Sequence, residues 1–232
     1  MSKLQFFYIL CIIILVDQKI SAQNITILKD SVHISNQYYV LEEMNLSIKN
    51  KNIYKILQQK YNLFDGNYFK DPINRLTAKK EKLINLSEDL NRHQYGFESY
   101  EILYIDSKYL ALSISIQVFG SPWEDSEYYF FDLEKDTNIG NSLFKNRKKL
   151  LLECNKKLIN QENIRLNLET SDLSNYILVF DSNRKFNEII FVFKDLNNYS
   201  VSGNQKYEVS FTRIEIENFI ASKYRNTNIF KF

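Results

Sequence analysis

The residues of this 232-residue chain that could do chemistry crowd into one stretch, FGSPWEDSEYYFFDLEKD, from Phe119 to Asp136. It holds the only tryptophan, Trp123, followed by Glu124, Asp125 and Glu127. Two carboxylates held close together are the basic equipment for acid–base cleavage of a glycosidic bond. A tryptophan beside them offers a flat apolar face for stacking on a sugar or anchoring a protein contact. Pro122 and the acids make Phe119 to Glu127 an exposed connection between strands, with Trp123, Glu124, Asp125 and Glu127 as the candidate ligand contacts. A second reading of Trp123 stays open, that of a core plug, because large aromatics are ordinarily buried. Further on, Asp132, Glu134, Asp136 and Asn138 alternate like the ligands of a calcium loop. The sixth position of such a loop needs glycine and the twelfth a bidentate acid; here they are Thr137 and Leu143, so a polar turn is the better account.

Other catalytic inventories are not met. The two histidines, His33 and His93, have no partner at metal-ligand spacing, and no HExxH or CxxC arrangement occurs. There is no GxSxG elbow and no glycine-rich phosphate loop. The residues therefore point away from an enzyme and toward no metal and no cofactor. A formal net charge of +2, with Lys145, Arg147, Lys148 and Lys149 as the longest basic cluster, leaves no electrostatic footprint for nucleic acid.

The compartment is written in the first residues. Lys3 supplies a positive start, and Leu4 to Val16 form an apolar run interrupted only by Gln5. That run falls short of the roughly 20 residues that span a bilayer, and "DQKISAQ" after it offers Ala22 before a cleavage point. Residues 1–23 therefore read as a cleaved signal peptide, giving a secreted or periplasmic protein with no transmembrane span in the mature chain. Cleavage removes Cys11 and leaves Cys154, so no internal disulfide forms and the domain depends on its apolar core. Cys154 falls at helical spacing with Phe144, Leu151 and Leu158, which makes it a buried, inert thiol.

The elements that must hold these residues follow from periodicity. "QYYVLEEM" reads as a strand, and Ile53, Ile56, Leu57, Tyr61 and Phe64 recur at helical spacing. Gly66 and Pro72 punctuate a loop, and Leu76, Leu83, Leu86 and Leu90 mark a second helix. From Tyr100 the period changes to two. In "YLALSISIQVF", Leu110, Leu112, Ile114, Ile116 and Val118 face one way and Ala111, Ser113, Ser115 and Gln117 the other, as in a strand with one more polar side. "EILYID" is its hairpin partner, turning near Asp106, and "SEYYFFDL" is the next strand. Leu143 to Gln161 forms an amphipathic helix; "YILVFDS", "EIIFVF" and "KYEVSFTR" are strands, and a short helix around Glu215 to Ser222 closes the chain. The order predicts an α+β fold: an antiparallel sheet with one long amphipathic helix packed on it, plus a small mixed or helical N-terminal lobe. The expected division is a lobe over residues 24–99 and an α+β domain over residues 100–232.

Laid end to end, "SYEILYIDSKYLALSISIQVFG", "YYFFDLEKDTNIGNSLF" and "NEIIFVFKDLNNYSVSGNQKYEVSFTRIEIENFI" resemble a bacterial extracytoplasmic domain of unknown function. That domain stands at the C-terminus of the anti-sigma factor RsiV and of the peptidoglycan deacetylase PdaC. Leu110 to Ser115 match its first strand, Phe131 to Leu133 the second, Leu143 and Phe144 the start of its helix, and Tyr199 and Gly203 the approach to its last strand. Gly120 is kept from the family's "GGAHG" loop without the histidine, and Lys135, Asp136 and Thr137 stand where the family has "KTG". The resemblance implies a mixed α+β fold and an envelope location. In RsiV such a domain recognises lysozyme, so the resemblance implies a non-catalytic module that binds a protein or a cell-wall glycan. A periplasmic immunity or inhibitor protein is the alternative, and a carboxylate-based hydrolase using Glu124, Asp125 and Glu127 the third reading.

Overall fold

Local sequence rules place most of the elements. The computed structural model describes residues 25–34, 37–61, 63–86, 96–117, 124–200 and 203–231. The expected signal peptide lies outside them, as does the tryptophan loop from Phe119 to Trp123. The chain runs β1 (Thr26–Ile34), β2 (Gln37–Asn45), α1 (Lys51–Gln59), α2 (Pro72–Asn85), β3 (Glu98–Ile105), β4 (Tyr109–Gln117), β5 (Glu124–Asp132) and β6 (Thr137–Asn138). It continues through a 3₁₀ turn (Gly140–Leu143), α3 (Arg147–Glu162), a second 3₁₀ turn (Asp172–Ser174), β7 (Tyr176–Phe180), β8 (Phe186–Ser200) and β9 (Gly203–Thr212). Two short helices, α4 (Arg213–Ile216) and α5 (Ser222–Arg225), flank a last 3₁₀ turn (Glu217–Phe219).

This is the expected α+β fold, and among the described residues its strands form three antiparallel sheets, β1-β2, β3-β4-β5-β6 and β7-β8-β9. The division explains why both sides of β4 are covered. Leu110, Leu112 and Ile114 of β4 pack with Met44, Ile53, Leu57 and Phe131, whereas Tyr109 and Ala111 belong to a second core with Phe130, Leu150, Phe191 and Val209. The supposedly polar side of β4 is thus covered too; Ala111 and Ser113 are both buried. The strand is a middle layer, and its small residues on that side let a second layer close over it.

Terminators and caps set the helix bounds. Pro72, read as a breaker, is the first residue of α2; Asp71 accepts hydrogen bonds from the backbone N–H groups of Ile73 and Asn74 (2.7 and 3.0 Å). α3 begins four residues later than expected because Phe144 is extended and Asn146 takes a left-handed conformation (φ 52°). Cys154 lies wholly buried on its inner face, and burial pushes the thiol up to about 12. At the start of β3, a side chain on Gly96 would meet the Gln117 carbonyl oxygen at 1.8 Å, so only glycine lets the two segments approach here.

Candidate binding surface at the start of β5

Alternation along β5 separates the predicted contacts. Asp125 and Glu127 lie on one face with Tyr129 and Phe131, which face the core beneath α1, while Glu124 is exposed at the strand's first position on the opposite face. Trp123 lies outside the described residues.

Asp125 and Glu127 meet two lysines from distant elements. Lys60, just past the end of α1, pairs with Glu127 and lies 3.9 Å from Asp125. Lys194 of β8 pairs with Asp125 and, at 2.7 Å, with Glu127. Tyr61 adds a hydrogen bond from its hydroxyl to the Asp125 carbonyl oxygen (3.0 Å). Each carboxylate is within reach of both cations, and the four side chains keep 16–28% of their surface in solvent. Burial works to lower the Lys194 pKa, but the hydrogen bonds that its ammonium donates to Asp125 and Glu127 outweigh it, and the group titrates above its usual range. The Tyr61 phenol is pushed far up by burial and by the same two carboxylates.

The cluster borders a cleft of 610 Å³. Glu127 and Lys194 line it together with Leu168, Asp172, Asn175 and Val192. Asn175 fixes the geometry by joining two sheets. Its Oδ1 accepts from the Tyr128 backbone N–H (3.0 Å), its Nδ2 donates to the Val192 carbonyl (2.9 Å), and its own carbonyl accepts from Val192 N–H (3.1 Å). The start of β5 and the middle of β8 are therefore held side by side by the Asn175 amide, not only by the attraction of their charges.

A second ionic group sits deeper. Arg75 and Lys79, one turn apart on α2, face Glu43 of β2 and Glu98 of β3. Arg75 Nη1 donates to Glu43 (2.6 Å), Arg75 Nη2 pairs with Glu98, and Lys79 lies 2.7 Å from Glu43 and 3.4 Å from Glu98. Tyr100 donates to Glu98 at 3.1 Å, and its phenol is pushed well up, first by burial and then by Glu98 and Glu43. Sequence reasoning missed this group and both lysine partners of β5. The helical spacing of Arg75, Leu76, Lys79 and Leu83 is a usable signal, since it puts two cations on an apolar stripe. Nothing in the sequence pairs Lys60 or Lys194 with acids 67 or 69 residues away.

Solved structures of bacterial DUF3298-family proteins, a domain of unknown function, resemble this chain in fold. A member of that family from Bacteroides fragilis superposes with a TM-score of 0.52 over 86% of this chain and 95% of its own, at 10% identity. A DUF3298 protein from Pseudomonas aeruginosa superposes with a TM-score of 0.54 over 87% and 96%, at 6% identity. At such identities the likeness is one of fold. No protein-family profile matches the chain. No curated protein matches it.

Proposed function

We propose that this chain is an exported, non-catalytic recognition domain of the bacterial envelope, secreted or periplasmic. It binds a protein of the lysozyme kind or a cell-wall glycan at the start of β5. The reading rests chiefly on one observation: Asp125 and Glu127 are each tied to Lys60 and Lys194. Cleavage of a glycosidic bond needs one carboxyl group free to give a proton and a second free to act as base or nucleophile, whereas both of these carboxylates are already engaged by ammonium groups. The same alternation of charge, partly exposed beside a cleft, suits a partner with complementary charges, which fixes orientation and register. The apolar N-terminal run with its cleavable flank, and the resemblance of the strand motifs to the RsiV and PdaC domains, support an envelope setting.

The test is calorimetric titration of the mature protein with lysozyme and co-sedimentation with insoluble peptidoglycan. Binding to one of them, weakened about tenfold by Glu127→Lys, is the expected result. Loss of lysozyme activity on binding would assign the inhibitor reading instead. Release of soluble fragments from peptidoglycan, abolished by Glu127→Gln, would overturn a non-catalytic role.

A further inference from the structure

The first helix also borders a second cavity, which runs along it from Lys51 to Gln58. A cavity of 430 Å³ opens between the chain leading into α1, the helix itself and the loop before α2. That volume is of the size that holds small molecules. Three exposed lysines line it, Lys51, Lys55 and Lys70, and among the described residues no carboxylate does. None of the three has an ion-pair partner among the described residues; Lys55 instead lies 5.0 Å from the centre of the Tyr68 ring. The walls are apolar and aromatic, from Tyr54, Tyr68 and Phe69.

One residue of the wall has an unmet hydrogen-bond acceptor. Asn50 is fully buried and lines the cavity. Its backbone N–H donates to Ser47 (2.8 Å), its carbonyl accepts from Tyr54 (3.0 Å), and its Nδ2 donates to the Leu133 carbonyl (2.8 Å). Those bonds fix the amide, and Oδ1 is left without a donor. A buried acceptor in that condition is unfavourable until something donates to it. The opposite wall is equally fixed. Both ends of the Gln58 amide are tied to Phe69, with Nε2 donating to its carbonyl (2.9 Å) and Oε1 accepting from its N–H (2.8 Å). The cavity is therefore set in advance of binding.

We infer that this cavity binds a small amphiphilic anion: a flat apolar body seated on Tyr54, Tyr68 and Phe69, an acidic group facing the three lysines, and an N–H or O–H directed at Asn50 Oδ1. The site is separate from the β5 surface and does not depend on its role.

N-acetylphenylalanine carries all three features, and N-acetylphenylalaninamide differs from it in lacking the charge. Titration of the mature protein, followed by amide chemical shifts, should show saturable binding of the acid, with shifts at Tyr54, Tyr68 and the Asn50 side chain. The amide should bind about tenfold more weakly, and Lys55→Glu with Lys70→Glu should weaken the acid by at least that factor. These lysines are exposed, so the double variant keeps the fold, and Lys149→Glu, an exposed lysine on α3 outside the cavity lining, serves as a control that leaves binding unchanged. Equal affinity for acid and amide, no saturable binding of either, or indifference to the double lysine change overturns the inference.

Discussion

Two groups of two cations and two carboxylates tie the N-terminal helices to the rest of the chain, in different surroundings. Around α2, Arg75 and Lys79 face Glu43 and Glu98 with 0–2% of each side chain exposed. At the end of α1, Lys60 and Lys194 face Asp125 and Glu127 with 16–28% exposed. The counts of charges match; the access of water does not. In the first group the low polarity of the surroundings makes each ion depend on its partners, and removing one strands the others. In the second, water can replace a missing partner, so the pairs are worth less to the fold and are freer to serve a ligand. Arg75 shows how tight the buried case is, since its Nε is buried with no acceptor. Such a group locks the register of α2 against β2 and β3 more than it adds net stability.

The largest effect belongs to the buried group. Glu43→Gln keeps the shape and removes one charge of four, leaving Arg75 and Lys79 to share Glu98. The expected loss is about 3–5 kcal/mol of unfolding free energy, measured by urea denaturation. The pH dependence has a definite sign. Burial works to raise the Glu98 carboxyl, but Lys79 and Arg75 overcome it and hold it below its usual range. A lowered carboxylate stabilises the native state above its unfolded value, near about 4.3, and that contribution disappears as pH falls through the native value. Wild type should therefore lose stability on acidification below that point, and Glu98→Gln should flatten that limb. A Glu43→Gln variant as stable as the wild type would remove the distinction between the two groups.

An intermediate case sharpens it. Asp136, half buried in the turn once compared with a calcium loop, caps a helix 84 residues away in sequence. Its Oδ2 accepts from the Asn52 N–H (2.8 Å) and its Oδ1 from the Ile53 N–H (3.0 Å). Asn50, which precedes α1, provides no side-chain cap of its own. Asp136 also has φ 53°, a conformation that asparagine tolerates. Asp136→Asn thus keeps the backbone and one acceptor while losing the second and the charge. It should cost about 1 kcal/mol in the same denaturation experiment, between the two ionic groups.

What the sequence made legible divides along physical lines. Periodicity says which residues share a face, so β2, β4, β5, β7 and the burial of Cys154 were readable. It does not say which faces are covered, so Ala111 and Ser113 were taken for a polar side although a second sheet closes over them. β1 was missed because "TILKDSVHI" places Asp30 and His33 in a short alternation, and its identity as a strand comes from pairing with β2. At the candidate site, the acids announced themselves by crowding, and Asp125 and Glu127 do sit together. Their partners did not, because Lys60 and Lys194 are ordinary lysines until the fold closes the distance. Arg75 and Lys79 were hidden for the converse reason. A count of leucines finds the helix, but cations on the apolar stripe have to be noticed separately.

The smallest stability effect, and the most telling for the comparison, should come from Lys194→Ala. The substitution leaves Asp125 and Glu127 with Lys60, and water reaches all three. A loss of about 0.5–1 kcal/mol at low ionic strength is the expectation for partly exposed pairs. Salt should shrink it further, because the Debye length falls to about 3 Å at 1 M. The pH response runs opposite to that of Glu98. Lys194 titrates above its ordinary value in the native state. Its contribution is thus present below the unfolded value, near about 10.4, and is lost as pH rises through the higher native one. Urea denaturation of both proteins in low and high sodium chloride, at neutral and strongly alkaline pH, measures all of this. A loss as large as that from Glu43→Gln, and indifferent to salt, would mean that the β5 group is a second structural lock. The charges proposed to meet a partner would then already be fully committed to the fold.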